Sequence, residues 1–169
     1  MEARMESERT SMKNETTIER KSELELVITR TFNGPARLVF DAWTQPELLK
    51  KWWTPKGYGF EFLSCEIDAR TGGRYKFVFG GPQFPKPMEF FGKYLEVVPG
   101  SKLVWTNEEG IEGGEVTTVT FEEIAGGKTR VVMHERFATK EALETDGMGA
   151  AEGMTVTFGQ LDEMLAANN

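Results

Sequence analysis

The chain has 169 residues, 39% hydrophobic composition and a net charge of −7 at pH 7, which fits one compact domain and excludes binding to nucleic-acid phosphates. A single cysteine and a single histidine exclude an internal disulfide and a Cys/His zinc site. No apolar run reaches the roughly 20 residues of a membrane-spanning helix and no apolar signal segment begins the chain, so we expect a cytoplasmic protein without membrane insertion.

Residues 1–22 combine acidic and basic residues with Ser and Thr, and contain almost no large side chains. Such a segment buries too little apolar surface to offset the entropy lost on ordering, so we predict a polar tail that is disordered or weakly ordered. A weak helix is the alternative, because Glu, Arg and Met favour helices. The domain is therefore predicted to span residues 23–169.

The domain begins with an alternation of apolar and polar residues over residues 24–32, which predicts a strand with one buried face. Arg30 interrupts this apolar alternation. Apolar residues at helical spacing then predict a short helix over residues 36–43, and "TQPELLKKWW" predicts a second short helix directly after it.

From residue 59 the apolar period changes to two, and turn-forming segments such as "RTGG" and "AGGK" separate six strands of an antiparallel meander. With the first strand this makes seven. Apolar residues at steps of three and four over residues 148–165 predict a long C-terminal helix. Its several glycines weaken it, so packing must hold it in place.

This order of elements is that of the helix-grip α+β fold. The segments "TRTFNGPARLVFDAWTQPELLKKWWTP", "CEIDARTGGRYKF" and "FFGKYLEVVPGSKLVWT", with the closing helix, resemble START-like (SRPBCC, birch-pollen-allergen-like) proteins of the family homologous to the activator of the ninety-kilodalton heat-shock protein ATPase. The resemblance covers roughly residues 24–166. It implies a seven-stranded curved antiparallel sheet wrapped around the C-terminal helix. It implies no single activity, since the superfamily includes lipid carriers, hormone receptors, cyclases and chaperone cofactors.

A sheet curved around a helix cannot bring all its inward side chains into contact, so this fold tends to leave a cavity that suits an apolar ligand. The alternative is that the same side chains simply fill the core. The strand alternation and the helix stripe predict ligand-binding positions at Tyr75, Phe77, Phe79, Phe91, Trp105, Met133, Met148, Ala151, Thr155 and Phe158.

Two adjacent tryptophans end the second short helix and cannot both point inward. Trp52 follows Leu48 by four residues, so we predict that Trp52 packs inside the domain. Trp53 is then predicted at the mouth of the cavity. A surface for a partner protein is the alternative for Trp53.

Polar candidates for the cavity are Glu135 and Glu152, and exposure to solvent is the alternative for Glu152. Neighbours on a strand face opposite sides, so parity with Met133 places Glu135 inward and His134 outward. Cys65 alternates with apolar residues, which indicates a small buried side chain rather than a nucleophile. We therefore predict no catalytic residue, no metal site and no cofactor.

The first functional hypothesis is non-enzymatic binding of a small hydrophobic or amphipathic molecule, such as a lipid, in this cavity. The second is a co-chaperone-like or stress-response domain that contacts another protein. The third is an enzyme of the cyclase or hydrolase type that uses polar groups in the cavity. The sequence is compatible with a monomer or a homodimer.

Overall fold

The computed structural model describes residues 15–82, 84–108 and 114–167. The strands are β1 (Thr17–Arg20), β2 (Glu25–Phe32), β3 (Glu61–Ile67), β4 (Arg74–Gly80), β5 (Met88–Val98), β6 (Lys102–Asn107), β7 (Glu115–Ile124) and β8 (Lys128–Arg136). The helices are α1 (Ala36–Thr44), α2 (Pro46–Leu49), α3 (Lys140–Ala142) and α4 (Met148–Ala167), with a π-helical segment (Leu143–Gly147) between the last two.

The strands form one antiparallel sheet in the order β1-β2-β8-β7-β6-β5-β4-β3. Consecutive pairing from β3 to β8 confirms the predicted six-stranded meander. Strand β2 returns to pair with β8. The open antiparallel sheet and the long C-terminal helix together confirm the helix-grip α+β fold.

Strand β1 makes the sheet eight-stranded rather than seven-stranded, and it lies inside the segment predicted as a tail. Thr17–Arg20 pairs with β2, Ile18 packs partly buried against the core, and Arg20 forms a 3.1 Å ion pair with Glu144. The tail prediction is therefore wrong for this strand. The prediction rested on composition, which does not reflect the backbone hydrogen bonds that a strand gains by pairing with the edge of β2. Residues 1–14 lie outside the described residues.

The C-terminal half of α4 packs on the first strand and the first helix. The Phe158 ring centroid lies 5.4 Å from that of Phe32 in β2 and 5.8 Å from that of Trp43 in α1. Leu161 and Leu165, one and two turns further along α4, are also buried. These contacts fix one half of α4 in the aromatic core.

Arg30, which interrupts the apolar alternation of β2, is buried and serves the same attachment. Its guanidinium forms a 3.0 Å ion pair with Asp162 of α4 and donates a 3.0 Å hydrogen bond to Oγ1 of Thr16. Asp162 also accepts a 3.2 Å hydrogen bond from the backbone N–H of Asn33. Because a buried charge must be paired, this ion pair joins α4 to β2 at a defined position.

Candidate functional site

A cavity of about 880 Å³ lies between the inner face of the sheet and the N-terminal half of α4. Its wall is mainly apolar, and its size is in the range of sites for small organic molecules. The aromatic members of the wall are Trp43, Trp52, Trp53, Phe60, Tyr75, Phe77, Phe79, Phe90, Tyr94, Trp105, Phe137 and Phe158.

Strand β4 provides the largest continuous part of the aromatic wall. Tyr75, Phe77 and Phe79 alternate along it, so all three face the inner side of the sheet and are buried. Trp105 of β6 and Met133 of β8 face the same cavity. All five residues lie where the sequence predicts them.

Strand β5 lines the cavity with Phe90 and Tyr94, and the predicted inward placement of Phe91 is wrong. Phe91 pairs with Lys76, on the outer face of β4. The register of β5 shifts between Tyr94 and Glu96. Such a bulge reverses the face to which the side chains on its two sides point. Alternation counted back through the bulge from the end of β5 therefore puts Phe91, instead of Phe90, on the inner face.

All four tryptophans of the chain line the cavity. Trp52 is fully buried, and its Nε1–H donates a 2.9 Å hydrogen bond to the carbonyl oxygen of Ala42. Trp53 is half-buried, with its ring centroid 5.7 Å from that of Phe77. Trp52 is the more buried of the two, as predicted, although both rings line the cavity.

The C-terminal helix turns a different face to the cavity than predicted. Ala151 is buried in the core and Met148 packs partly buried against it, whereas Glu152 and Thr155 are exposed. None of these four lines the cavity, and their predicted placement is wrong. Among the helical candidates, Phe158 does line it. The wall on α4 is completed by Gly149, Ala150, Gly153, Met154 and Thr157.

The predicted stripe counts steps of three and four from Met148 through Ala151, Thr155 and Phe158, and it includes Thr155, which the structure exposes. Met154 is the signal in the sequence for the observed face, since it follows Ala151 by three residues and precedes Phe158 by four.

The π-helical segment forms the wall at the start of α4. A Cβ atom at Gly147 would lie 2.5 Å from Cζ of Phe137, so glycine is required for this close approach. Thr145 and Asp146 of the segment line the cavity beside the Phe137 ring. Single π-helical turns often occur at functional sites.

Glu135 faces the cavity from β8, which confirms the predicted orientation, and it is only 3% exposed. It pairs with Thr117 of β7. Burial, with a smaller contribution from the nearby Glu115, raises the pKa of Glu135 to about 8. Glu115, Thr117 and Asp146 also line the cavity and were not predicted.

The other titratable candidates lie away from the cavity. The His134 Nε2 atom faces outward, 3.0 Å from Oε1 of Glu25. Burial raises the pKa of the Cys65 thiol to about 11, so the thiol stays protonated at neutral pH and is a poor nucleophile. The residues described by the structure contain no group of three or more His, Cys, Asp or Glu side chains placed to hold a metal ion.

A sequence model of the family described as "Activator of Hsp90 ATPase homolog 1-like protein" matches residues 33–166. The chain belongs to this family. The predicted resemblance is thereby confirmed, and the match spans every residue of the cavity wall, from Trp43 to Phe158. Strands β1 and β2 precede the matched segment.

Solved structures similar to this family member include a crystal structure from Rhodobacter sphaeroides, at 26% identity and a TM-score of 0.81 over 92% of this chain and 100% of that one. A protein from Nitrosomonas europaea has 28% identity and a TM-score of 0.77 over 88% and 98% of the two chains. A solution structure from Staphylococcus epidermidis has 28% identity and a TM-score of 0.74 over 90% and 95%. No curated protein gives a significant match.

Among the described residues of this family member, no helix is both long enough and apolar enough to cross a membrane.

Proposed function

We propose that this member of the Activator of Hsp90 ATPase homolog 1-like family binds a small hydrophobic or amphipathic molecule in the cavity beneath α4. The observation that supports the proposal is the cavity itself, about 880 Å³ with a mainly apolar wall rich in aromatic side chains. Protein interiors are normally packed as densely as organic crystals, so an unfilled space of this size forfeits packing contacts. A ligand would supply the missing contacts with the aromatic rings.

The small residues of α4 support the same proposal. Gly149 and Gly153 line the cavity where it opens to solvent, and a Cβ atom at either position would meet nothing within 4 Å. The neighbouring residue Ala150 adds only one methyl group. Larger side chains at these positions would stabilise the helix but take space from a ligand.

Titration with Nile red, a neutral apolar dye that fluoresces on transfer out of water, tests the proposal. We expect the folded protein to bind it with enhanced dye emission. Gly153→Phe should weaken this binding, because the ring enters the cavity. Gly159→Phe is the matched control, since Gly159 lies on the same helix, has open space around its Cβ and does not line the cavity.

Absence of dye binding by the folded protein would contradict the proposal, as would equal loss of binding in both variants. Native mass spectrometry of freshly purified protein gives an independent readout. A bound small molecule that is absent from Gly153→Phe and present in Gly159→Phe would place natural cargo in this cavity.

The family description supports a second candidate, a co-chaperone-like contact with another protein. Addition of this protein to a purified Hsp90-type chaperone should then change its ATPase rate, and an unchanged rate would contradict the candidate. Gly153→Phe serves here as well, because filling the cavity should abolish dye binding and leave a surface contact intact.

The raised pKa of Glu135 supports a third candidate, an enzyme, because a buried carboxyl that keeps its proton near neutral pH can act as a general acid. Conversion of an added hydrophobic compound by the native protein, with loss of conversion in Glu135→Gln, would support this candidate. Recovery of the bound compound with unchanged mass would favour binding alone.

A further inference from the structure

The polar groups of the cavity wall are gathered at one end, where strands β6, β7 and β8 meet the π-helical segment. Asn107 at the end of β6 pairs with Glu115 at the start of β7. Thr117 of β7 pairs with Glu135 of β8. Asp146 approaches from the π-helical segment, and all five residues line the cavity. The wall formed by β4 and the loop after α2 is mainly aromatic, and it meets the polar end at Tyr75, whose hydroxyl donates a hydrogen bond to Oδ1 of Asn107.

Glu135 is the most buried acidic residue of this polar end. It is 3% exposed and faces the cavity. Within the part of the chain that the structure describes, its carboxyl group makes no hydrogen bond and no ion pair; its electrostatic environment consists of burial and the like charge of Glu115. The Glu135 oxygens are not fully enclosed by protein atoms and open into the cavity, where a polar group of a ligand can pair with them.

The charges around the cavity all have one sign. Glu115, Glu135 and Asp146 are acidic, and none of the described residues that line the cavity is Lys, Arg or His. A ligand carboxylate or phosphate would therefore meet the like charges of Glu115 and Asp146 and no cation of the described wall. A cation would meet carboxyl groups at one end and aromatic faces on the remaining walls, and both attract positive charge.

We infer, on the basis of the proposed binding function, that the cavity is selective for amphipathic amines. The apolar body of the ligand lies along the aromatic wall of β4, and its ammonium group pairs with the carboxyl group of Glu135 at the acidic end.

Pairing with an ammonium group also moves a proton. Burial, with a smaller contribution from Glu115 of β7, favours the protonated form of Glu135 in the empty cavity. An entering ammonium ion favours the carboxylate, so the Glu135 proton leaves to solvent and the ion pair forms. No covalent bond is made or broken other than this O–H bond.

Three ligands with one tail and three head groups test this selectivity: decylamine, decan-1-ol and decanoate. Displacement of Nile red and quenching of the four cavity tryptophans provide two readouts of binding at pH 7. We expect decylamine to bind about tenfold or more tightly than decan-1-ol, since hydrogen bonds to charged groups are the stronger ones, and decanoate to bind most weakly.

Two variants assign the effect to one residue. Glu135→Gln should weaken decylamine binding about tenfold while leaving decan-1-ol binding unchanged, because the shape of the side chain is kept and its charge is removed. Glu122→Gln is the matched control on the exposed side of β7, and should leave the binding of all three ligands unchanged.

The outcomes separate this inference from the function on which it rests. Binding of decanoate as tight as that of decylamine would overturn the amine selectivity and leave the binding function intact. Binding of none of the three ligands, and of no dye, would contradict the binding function itself. Equal weakening of decylamine and decan-1-ol by Glu135→Gln would overturn the assignment of Glu135. The head-group series on the native protein requires no variant to fold.

Discussion

The two halves of α4 have opposite character. The C-terminal half buries Leu161 and Leu165 and carries Asp162, which is paired with a buried arginine. The N-terminal half carries Gly149 and Gly153, whose Cα atoms face open space. One continuous helix therefore contributes solid core at one end and a cavity wall at the other.

This difference shows how a cavity can exist in a stable domain. A helix rich in glycine is weak by itself, so its position must be set by the half that is packed. Gln160 strengthens this attachment, because its side-chain amide donates to the carbonyl oxygens of Trp52 at 3.1 Å and Thr54 at 2.8 Å. The packed half holds α4 in place, so the other half can carry glycines that add no packing contacts.

The largest effect is expected at the ion pair of the packed half. Asp162→Ala should lower the free energy of unfolding by about 3 kcal/mol, because it leaves the buried guanidinium of Arg30 without its counter-charge. Urea unfolding measures the loss. Glu89→Ala removes an exposed ion pair with Lys76 and should change stability by less than about 0.5 kcal/mol. Similar losses in both variants would show that α4 is held by apolar packing alone.

The next effect concerns the acidic end of the cavity. A carboxyl whose folded-state pKa is about 8 keeps its proton between pH 5 and 8, while the same group in the unfolded chain loses it, so stability should fall as pH rises through this window. Glu135→Gln should remove this pH dependence, so that between pH 5 and pH 8 its stability relative to the parent rises by about 3 kcal/mol.

Unfolding in urea at a series of pH values measures this difference. The exposed residue Glu122 provides the control, because Glu122→Gln should follow the pH profile of the parent. Parallel profiles for the parent and Glu135→Gln would mean that water reaches the Glu135 carboxyl freely.

A smaller effect is expected where the π-helical segment meets the sheet. Gly147→Ala should lower the free energy of unfolding by about 1.5 kcal/mol, because the new methyl group overlaps the Phe137 ring. Gly149→Ala, two residues along the chain, has open space for its methyl group and is the control. Equal melting temperatures for the two variants would contradict the close approach of Gly147 to the Phe137 ring.

The smallest effect is a gain. Gly153→Ala should raise the free energy of unfolding by up to about 1 kcal/mol, since alanine is the better helix former and its methyl group meets no atom within 4 Å. Urea unfolding measures the change. A loss of stability would show that the open half of α4 is packed after all.

The sheet could be predicted from sequence because its signals are local. Alternating apolar residues and glycine-containing turns mark the six strands of the meander one after another. Strand β1 could not be found in this way. Ile18 is its only large aliphatic residue, and its place depends on pairing with β2, which lies further along the chain.

The cavity could be predicted in part. Side chains alternate between the two faces of a strand, and this rule assigned Tyr75, Phe77 and Glu135 to the correct face because their strands have no bulge. The same rule failed for Phe91, because β5 contains a bulge. Glu115 was within reach of the same reasoning, because it alternates in β7 with the apolar residues Val119 and Phe121, which are buried. Asp146 was not, since its position depends on a π-helical turn that a period of 3.6 residues does not describe.

Strand β1 also bears on how the protein behaves at high concentration. An open sheet has two edges, and an unpaired edge can add a strand from another copy of the chain. The short strand Thr17–Arg20 covers the alternating apolar strand β2, and the opposite edge strand, β3, is interrupted by a register shift between Phe62 and Ser64. Removal of β1 would therefore expose an eight-residue template for intermolecular strand pairing and make the domain prone to aggregation.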